Sequence, residues 1–307
     1  MRLSRALPLA ALLALCAVRA GAVCRESGFE MLSWNLQTYG HIKPERRAAV
    51  RKAYEAVVSS NVYVLAVQEI AGENGMETFL SLLPGGTEQW AASFQDTRDA
   101  QDNAIVFRRE CSTVSAQGFL FEDKDGRPDT LRALHPVRWA KLKTGALEYT
   151  LLSLHLTFQQ GDAAESAREL DYILDWAARS KAGEKEGFIL AGDFNLPTEK
   201  GKALSKRARE KKWTPLELLL RKAGAASMGV YVDEPTSRPH KQPGNNYDHF
   251  LVSQRLKPHV VKAGRLPPEL VDEADHGRTA MVSDHYPVML ELALSTAPAM
   301  TEHKEAR

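Results

Sequence analysis

Nine polar residues sit where apolar runs of the chain begin or end: Asn35, Glu69, His155, Asp193, Asn195, Asp248, His249, Asp284 and His285. A carboxylate at the end of a buried strand must be paired, bound to a metal or solvated in a cleft. Several runs ending in this way point to one shared cleft. Asn, Glu and Asp are hard oxygen donors, suited to Mg2+, with Mn2+ or Ca2+ as alternatives. A zinc site would want closely spaced Cys and His, and no cysteine here has such neighbours. A hard cation beside imidazoles fits hydrolysis of a phosphate ester. The cation neutralises phosphate charge, a His–Asp pair activates water, and a further donor supports the oxyanion or the leaving group.

Strands must carry these residues. Residues 29–37 and 148–158 read as strands, and 62–70 and 187–195 as apolar strands buried on both faces. Between them, 44–60 and 163–179 have helical spacing, the first with Pro44 suited to its opening turn. A strand–helix–strand order therefore occurs twice, each strand delivering its polar group near its C-terminal end, where ligand sites gather. Residues 247–253 and 281–292 read as further strands, each with an Asp-His pair near its start. The stretch 264–280 reads as loop, and 72–104 and 121–138 lack clear periodicity. No linker interrupts the chain, so a single domain over 23–297 is expected, with a disordered tail over 298–307.

The N-terminus has the layout of a secretory signal peptide over 1–22: Arg2 and Arg5, an apolar stretch from Leu7 to Val18, then Ala20-Gly21-Ala22. A secreted or periplasmic protein is expected, with no transmembrane segment in the mature chain. Removing 1–22 takes three of the 40 Lys+Arg and none of the 39 acids, leaving a formal charge of −2. That excludes a globally basic nucleic-acid binder, though not a local basic patch. With 44% hydrophobic and 26% charged residues, a disordered or fibrous chain is excluded as well. Cys24 and Cys111 remain after export, candidates for a disulfide in an oxidising compartment.

Six motifs then follow in order: Ser-Trp-Asn-Leu-Gln (33–37), Val-Gln-Glu-Ile (67–70), Ser-Leu-His-Leu (153–156), Gly-Asp-Phe-Asn (192–195), Tyr-Asp-His-Phe-Leu-Val-Ser (247–253) and Ser-Asp-His-Tyr-Pro-Val (283–288). Together they resemble the endonuclease/exonuclease/phosphatase superfamily, the DNase I-like fold, over residues 28–293. The resemblance implies a four-layered α/β sandwich of two packed mixed β-sheets flanked by helices. It implies Asn35 and Glu69 as metal ligands with Asp284 beside them. His285 would be general base or transition-state phosphate contact, oriented by Asp248. His155 would contact the phosphate or protonate the leaving oxygen, and Asp193 and Asn195 would position water and phosphate. His249 would be accessory, and Arg132 or Arg138 would bind phosphate. Relatives often place a Tyr and a Glu before the strand at 103–108. Here that stretch reads Asp99-Ala100-Gln101-Asp102, leaving Gln101 or Asp102 to partner His155.

Trp34 and Trp139 read as core packing, and His135 and His240 as surface-loop residues. The run from Lys200 to Lys212 reads as a solvated helix face or as a track for a phosphate backbone. No exposed apolar hairpin for membrane docking is evident. The first reading is an exported, metal-dependent DNA endonuclease, with DNA as partner. The alternatives are a metal-dependent phosphatase or a sphingomyelinase-like phospholipid phosphodiesterase, and a non-catalytic binding member of the fold. The oligomeric state is left open.

Overall fold

The structure, a computed structural model, describes residues 24–40, 44–158, 163–180, 187–237, 244–272 and 282–295. The expected signal peptide (1–22), the tail (298–307) and His240 lie outside them. Two six-stranded sheets form the middle of the molecule. The first contains β1 (Gly28–Tyr39), β2 (Val62–Ile70), β3 (Trp90–Ser93), β4 (Asp102–Arg108), β11 (Val260–Arg265) and β12 (Val288–Ala293), in the order β11-β12-β1-β2-β4-β3. The second contains β5 (Ser112–Phe119), β6 (Arg138–Thr144), β7 (Leu147–His155), β8 (Phe188–Asp193), β9 (Gly229–Tyr231) and β10 (Asp248–Val252), in the order β5-β6-β7-β8-β10-β9. Both sheets are mixed: β1 is parallel to β2 and β7 to β8, and the other pairings are antiparallel.

Side chains alternate between the two faces of a strand, and this alternation builds the layers. Phe29, Met31, Val64, Leu151, Ile189 and Phe250 interlock between the sheets. On the outer face of the first sheet, Leu32, Trp34, Leu65 and Val67 pack against Tyr54 of helix α1 (Pro44–Val57) and Phe79 of helix α2 (Gly72–Leu82). The four-residue helix α3 (Gly86–Gln89) follows. On the outer face of the second sheet, Leu152, Leu154 and Leu190 meet Leu170, Ile173 and Leu174 of helix α4 (Ala164–Ser180). The four-layered α/β sandwich follows from these three apolar layers.

The inner faces change character along each strand. Phe29 and Met31 give way to Ser33 and Asn35; Val64 and Ala66 to Gln68; Tyr149 and Leu151 to Ser153 and His155; Ile189 and Ala191 to Asp193. Strand β10 runs the other way, so Asp248 at its start reaches the same edge. The register sets His155, Asp193 and Asp248 side by side on three neighbouring strands. A polar seam lies just beneath, where Gln68 Nε2 donates to Ser153 Oγ across the sheets at 3.1 Å.

Some elements differ from the sequence reading. The strand expected over 281–292 begins only at Val288, because residues 283–285 turn to face β1: Ser283 Oγ donates to Asn35 O at 2.5 Å and Trp34 Nε1 to His285 O at 3.0 Å. Within 264–280 a short helix spans Glu269–Asp272. Cys24 and Cys111 form a disulfide that joins the residues just before β1 to the β4–β5 turn.

Gly192 shows why the Gly-Asp-Phe-Asn motif needs its glycine. Its φ is 152°, and a Cβ there would lie 1.9 Å from Leu154 O on parallel strand β7. Gly192→Ala would force those two strands apart immediately before Asp193. The expected cost is about 3 kcal/mol, measurable as a Tm lower by roughly 6–12 °C. An unchanged Tm would mean that β7 and β8 can part freely.

Candidate active site

Asp193 sits at the centre of the polar edge and is 2% exposed. Its Oδ1 accepts from Asn195 N at 2.9 Å, which fixes the carboxylate plane. Its Oδ2 faces three groups: Asn35 Nδ2 at 3.2 Å, His285 Nε2 at 3.6 Å and His155 Nε2 at 3.7 Å. Asn35 Nδ2 also donates to Glu69 Oε1 at 2.9 Å, so one amide ties the carboxylates of both sheets together. His285 Nδ1 lies 2.7 Å from Asp248 Oδ2. The structure thus brings Asn35, Glu69, His155, Asp193, Asp248 and His285 into one connected cluster.

Glu69 reaches the cluster by breaking its strand's alternation. Leu65 and Val67 point outward, and continued alternation would send Glu69 the same way. Its φ of 62° turns it back instead. Gln37 (φ 54°) and Asn195 (φ 50°), near the site, are also left-handed, as are Arg98, Lys212 and Val232. Asn195 is spent on that turn, its Nδ2 donating to Leu156 O at 2.7 Å. His249 faces away from Asp248, with its two ring nitrogens 3.1 Å from Val232 O and 2.8 Å from Leu196 O.

The two site imidazoles are pushed in opposite directions. Burial, the largest influence on His285, favours its neutral form, but the charges of Asp248 and Asp193 outweigh it and raise its pKa to about 10. His155 is pushed well down, first by burial and then by neighbouring His135. Burial holds the Asp193 carboxyl up, against the pull of His285.

The donor set suits a hard cation. Glu69 and Asn35 are in contact. Burial raises the pKa of partly buried Asp284, His285 opposes the rise, and the Glu69 charge adds to it. Like charges gathered in this way are relieved by a divalent ion. Asp193, Asp248 and His285 also place ligand atoms within 4.8 Å of one another, a group that could hold a metal. The charges of Asp248 and Asp193 favour the charged form of His285, however, and an imidazolium has no lone pair to offer.

Other expected residues fall elsewhere. Arg138 is buried, its Nε donating to Ser93 Oγ at 2.9 Å and its guanidinium lying over Phe119. Arg132 pairs with Asp129 and lies over Phe121. Among the described residues, neither guanidinium bonds a site side chain. Asp102 accepts from Thr97 instead of partnering His155. His135, read as a surface residue, is 8% exposed and stacks on His155, with Asp99 at its Nδ1. Its stretch has no periodicity, so no sequence signal brought it to the site.

A model of the Endonuclease/Exonuclease/phosphatase family matches residues 32–285. No curated protein sequence matches the chain. Similar solved structures include an endonuclease/exonuclease/phosphatase family protein from Bacteroides thetaiotaomicron, 18% identical, covering 87% of this chain and 95% of that one with a TM-score of 0.58. The mannosyl-6-phosphatase Bt3783 of the same organism is 18% identical over 86% and 99%, with a TM-score of 0.59. Truncated TDP2 from Caenorhabditis elegans is 13% identical over 87% and 98%, with a TM-score of 0.58.

The His285–Asp248 pair gives a titration test. A raised folded-state pKa contributes stability below the ordinary His value of about 6.5, and that contribution is lost as pH climbs towards about 10. In Asp248→Asn, burial should prevail and His285 should lose its proton below about pH 7. Imidazole NMR titration of metal-free protein checks this. A wild-type titration in the variant would remove Asp248 from its role.

Proposed function

Because this chain belongs to the endonuclease/exonuclease/phosphatase family, whose members are phosphoester hydrolases typically dependent on a divalent metal, we propose that it is an exported, metal-dependent phosphodiesterase that cuts DNA. The observation that carries the chemistry is the convergence of Asn35, His155 and His285 on one buried oxygen of Asp193.

Glu69, Asn35 and Asp284 would hold the cation, Mg2+ in the first instance, which when bound neutralises charge at the phosphate and the leaving oxygen. The chain's own residues supply the rest. His285, charged through Asp248, donates from Nε2 to a phosphoryl oxygen as negative charge builds there. That role suits a protonated ring better than general base does. Asp193, its pKa raised by burial, takes a proton from the attacking water. His155, kept neutral, offers a single N–H to the phosphate or the leaving oxygen. Asn195 holds the turn that aims Asp193.

DNA as substrate draws support from the exposed cations Lys200, Arg209, Lys211 and Lys212, which begin five residues beyond Asn195. Lys200 is already paired with Asp233. Export draws support from the Cys24–Cys111 disulfide, a bond that persists in oxidising compartments. Among the described residues, no helix is long and apolar enough to cross a membrane. One observation favours a second reading, an ester with an apolar or sugar leaving group. Leu131 is 87% exposed, and Leu134 and Phe158, close in sequence to His135 and His155, are about half exposed. These are separate side chains and not a docking hairpin, and a phosphatase shares the fold.

Supercoiled plasmid should be nicked with Mg2+, not with chelator, and His285→Ala or Glu69→Ala should each lower the rate by about 100-fold or more. Folded protein that leaves plasmid intact but hydrolyses sugar phosphates or phospholipids would replace DNA with the second reading. Wild-type rates in both variants would place the chemistry elsewhere.

A further inference from the structure

The residues Leu134, His135 and Pro136 precede β6 without regular structure, yet a side chain from a different part of the fold grips each of them. Glu169 of α4 accepts from Leu134 N at 2.9 Å, and the same carboxylate accepts from Thr157 N at 2.7 Å and Thr157 Oγ1 at 2.6 Å. Asp99 Oδ2 lies 3.0 Å from His135 Nδ1. Asn103 of β4 donates from Nδ2 to Pro136 O at 2.9 Å. Three clamps on three consecutive residues locate a single imidazole. That ring stacks on His155, with centroids 4.7 Å apart and planes 12° from parallel.

His155 has little else to orient it. A hydrogen bond at one ring nitrogen ordinarily fixes the orientation of a working imidazole. Among the described residues, the His155 ring makes none. Its Nδ1 is buried without a partner, with Glu69 Oε1 3.9 Å away, and its Nε2 stands 3.7 Å from Asp193 Oδ2. The final torsion of a histidine has a broad energy profile, so packing against the face of the ring decides its plane.

We infer that His135, locked by Asp99, is a positioning residue for His155, setting its ring plane by flat contact instead of by a hydrogen bond. The kinetic consequence rests on the cleft being a phosphoesterase site; the geometric consequence does not. His135 takes no proton and touches no substrate in this role. Its effect passes entirely through His155.

Four proteins test this: wild type, His135→Ala, His135→Phe and His135→Ala combined with His155→Ala. Tm is measured for each. Turnover is followed on plasmid and on bis(p-nitrophenyl) phosphate, and the order of the His155 ring by 13C relaxation. His135→Ala should lower kcat by about tenfold with KM within about twofold, and His135→Phe, which keeps a flat face, should restore most of it. In the His155→Ala background the same substitution should cost less than about twofold more. The ring of His155 should become mobile in His135→Ala and stay ordered in His135→Phe. If His135→Ala does not fold, His135→Leu, which keeps side-chain volume and removes the flat face, replaces it, with a loss in the same direction expected. Full additivity with His155→Ala, a loss confined to KM, no rescue by Phe, or an unchanged ring order would each overturn the inference. A wild-type protein that turns over no phosphoester would defeat the proposed function, and the ring measurement would then decide the inference alone.

Discussion

A carboxylate held between two β-sheets cannot remain charged unless its surroundings replace the water it has lost. Asp193 is that carboxylate, and the arrangement around it follows from the requirement. Parallel pairing of β7 with β8 puts His155 next to it in register, and antiparallel pairing with β10 puts Asp248 on its other side. From the first sheet come the Asn35 amide and, through the turn before β12, the His285 ring. The site is the continuation of the layer between the sheets, where Phe, Met, Leu and Ile give way to Ser and Gln and then to ionisable groups.

Two histidines in one cluster acquire different characters from their neighbours. His285 has a carboxylate at hydrogen-bonding distance and a second one further off, which favour its charged form. His155 has carboxylates only beyond hydrogen-bonding distance and another imidazole on its face, and burial favours its neutral form. Buried titratable groups whose environments drive them apart are how a site holds a proton donor and a proton acceptor at one pH. The side proposed to bind the cation, around Glu69, Asn35 and Asp284, lies where carboxylates gather without a charged imidazole in hydrogen-bonding contact.

Much of this was legible in the chain. Apolar runs marked β1, β2, β7, β8 and β10, and polar groups near their ends marked the edge of the site. Glu69 was found by its Val-Gln-Glu-Ile context, since simple alternation would have turned it outward; only the left-handed backbone brings it in. The stretch 281–292 reads as strand, but hydrogen bonds to β1 make residues 283–285 a turn. His135 and Asp99 were not legible. They lie in stretches without period, and they meet only through long-range contacts from α4 and β4. The two candidate arginines illustrate the converse: residue type suggested phosphate binding, and burial against Ser93 and Phe119 commits Arg138 to packing.

The most direct test of the division between a cation-binding half and a proton-handling half is anomalous diffraction from crystals soaked in Mn2+. A peak is expected at coordination distance, about 2.0–2.3 Å, from carboxylate oxygens of Glu69 or Asp284, with His285 still bonded to Asp248. A peak bonded jointly to Asp193, Asp248 and His285 would contradict it and turn the proposed proton donor into a metal ligand.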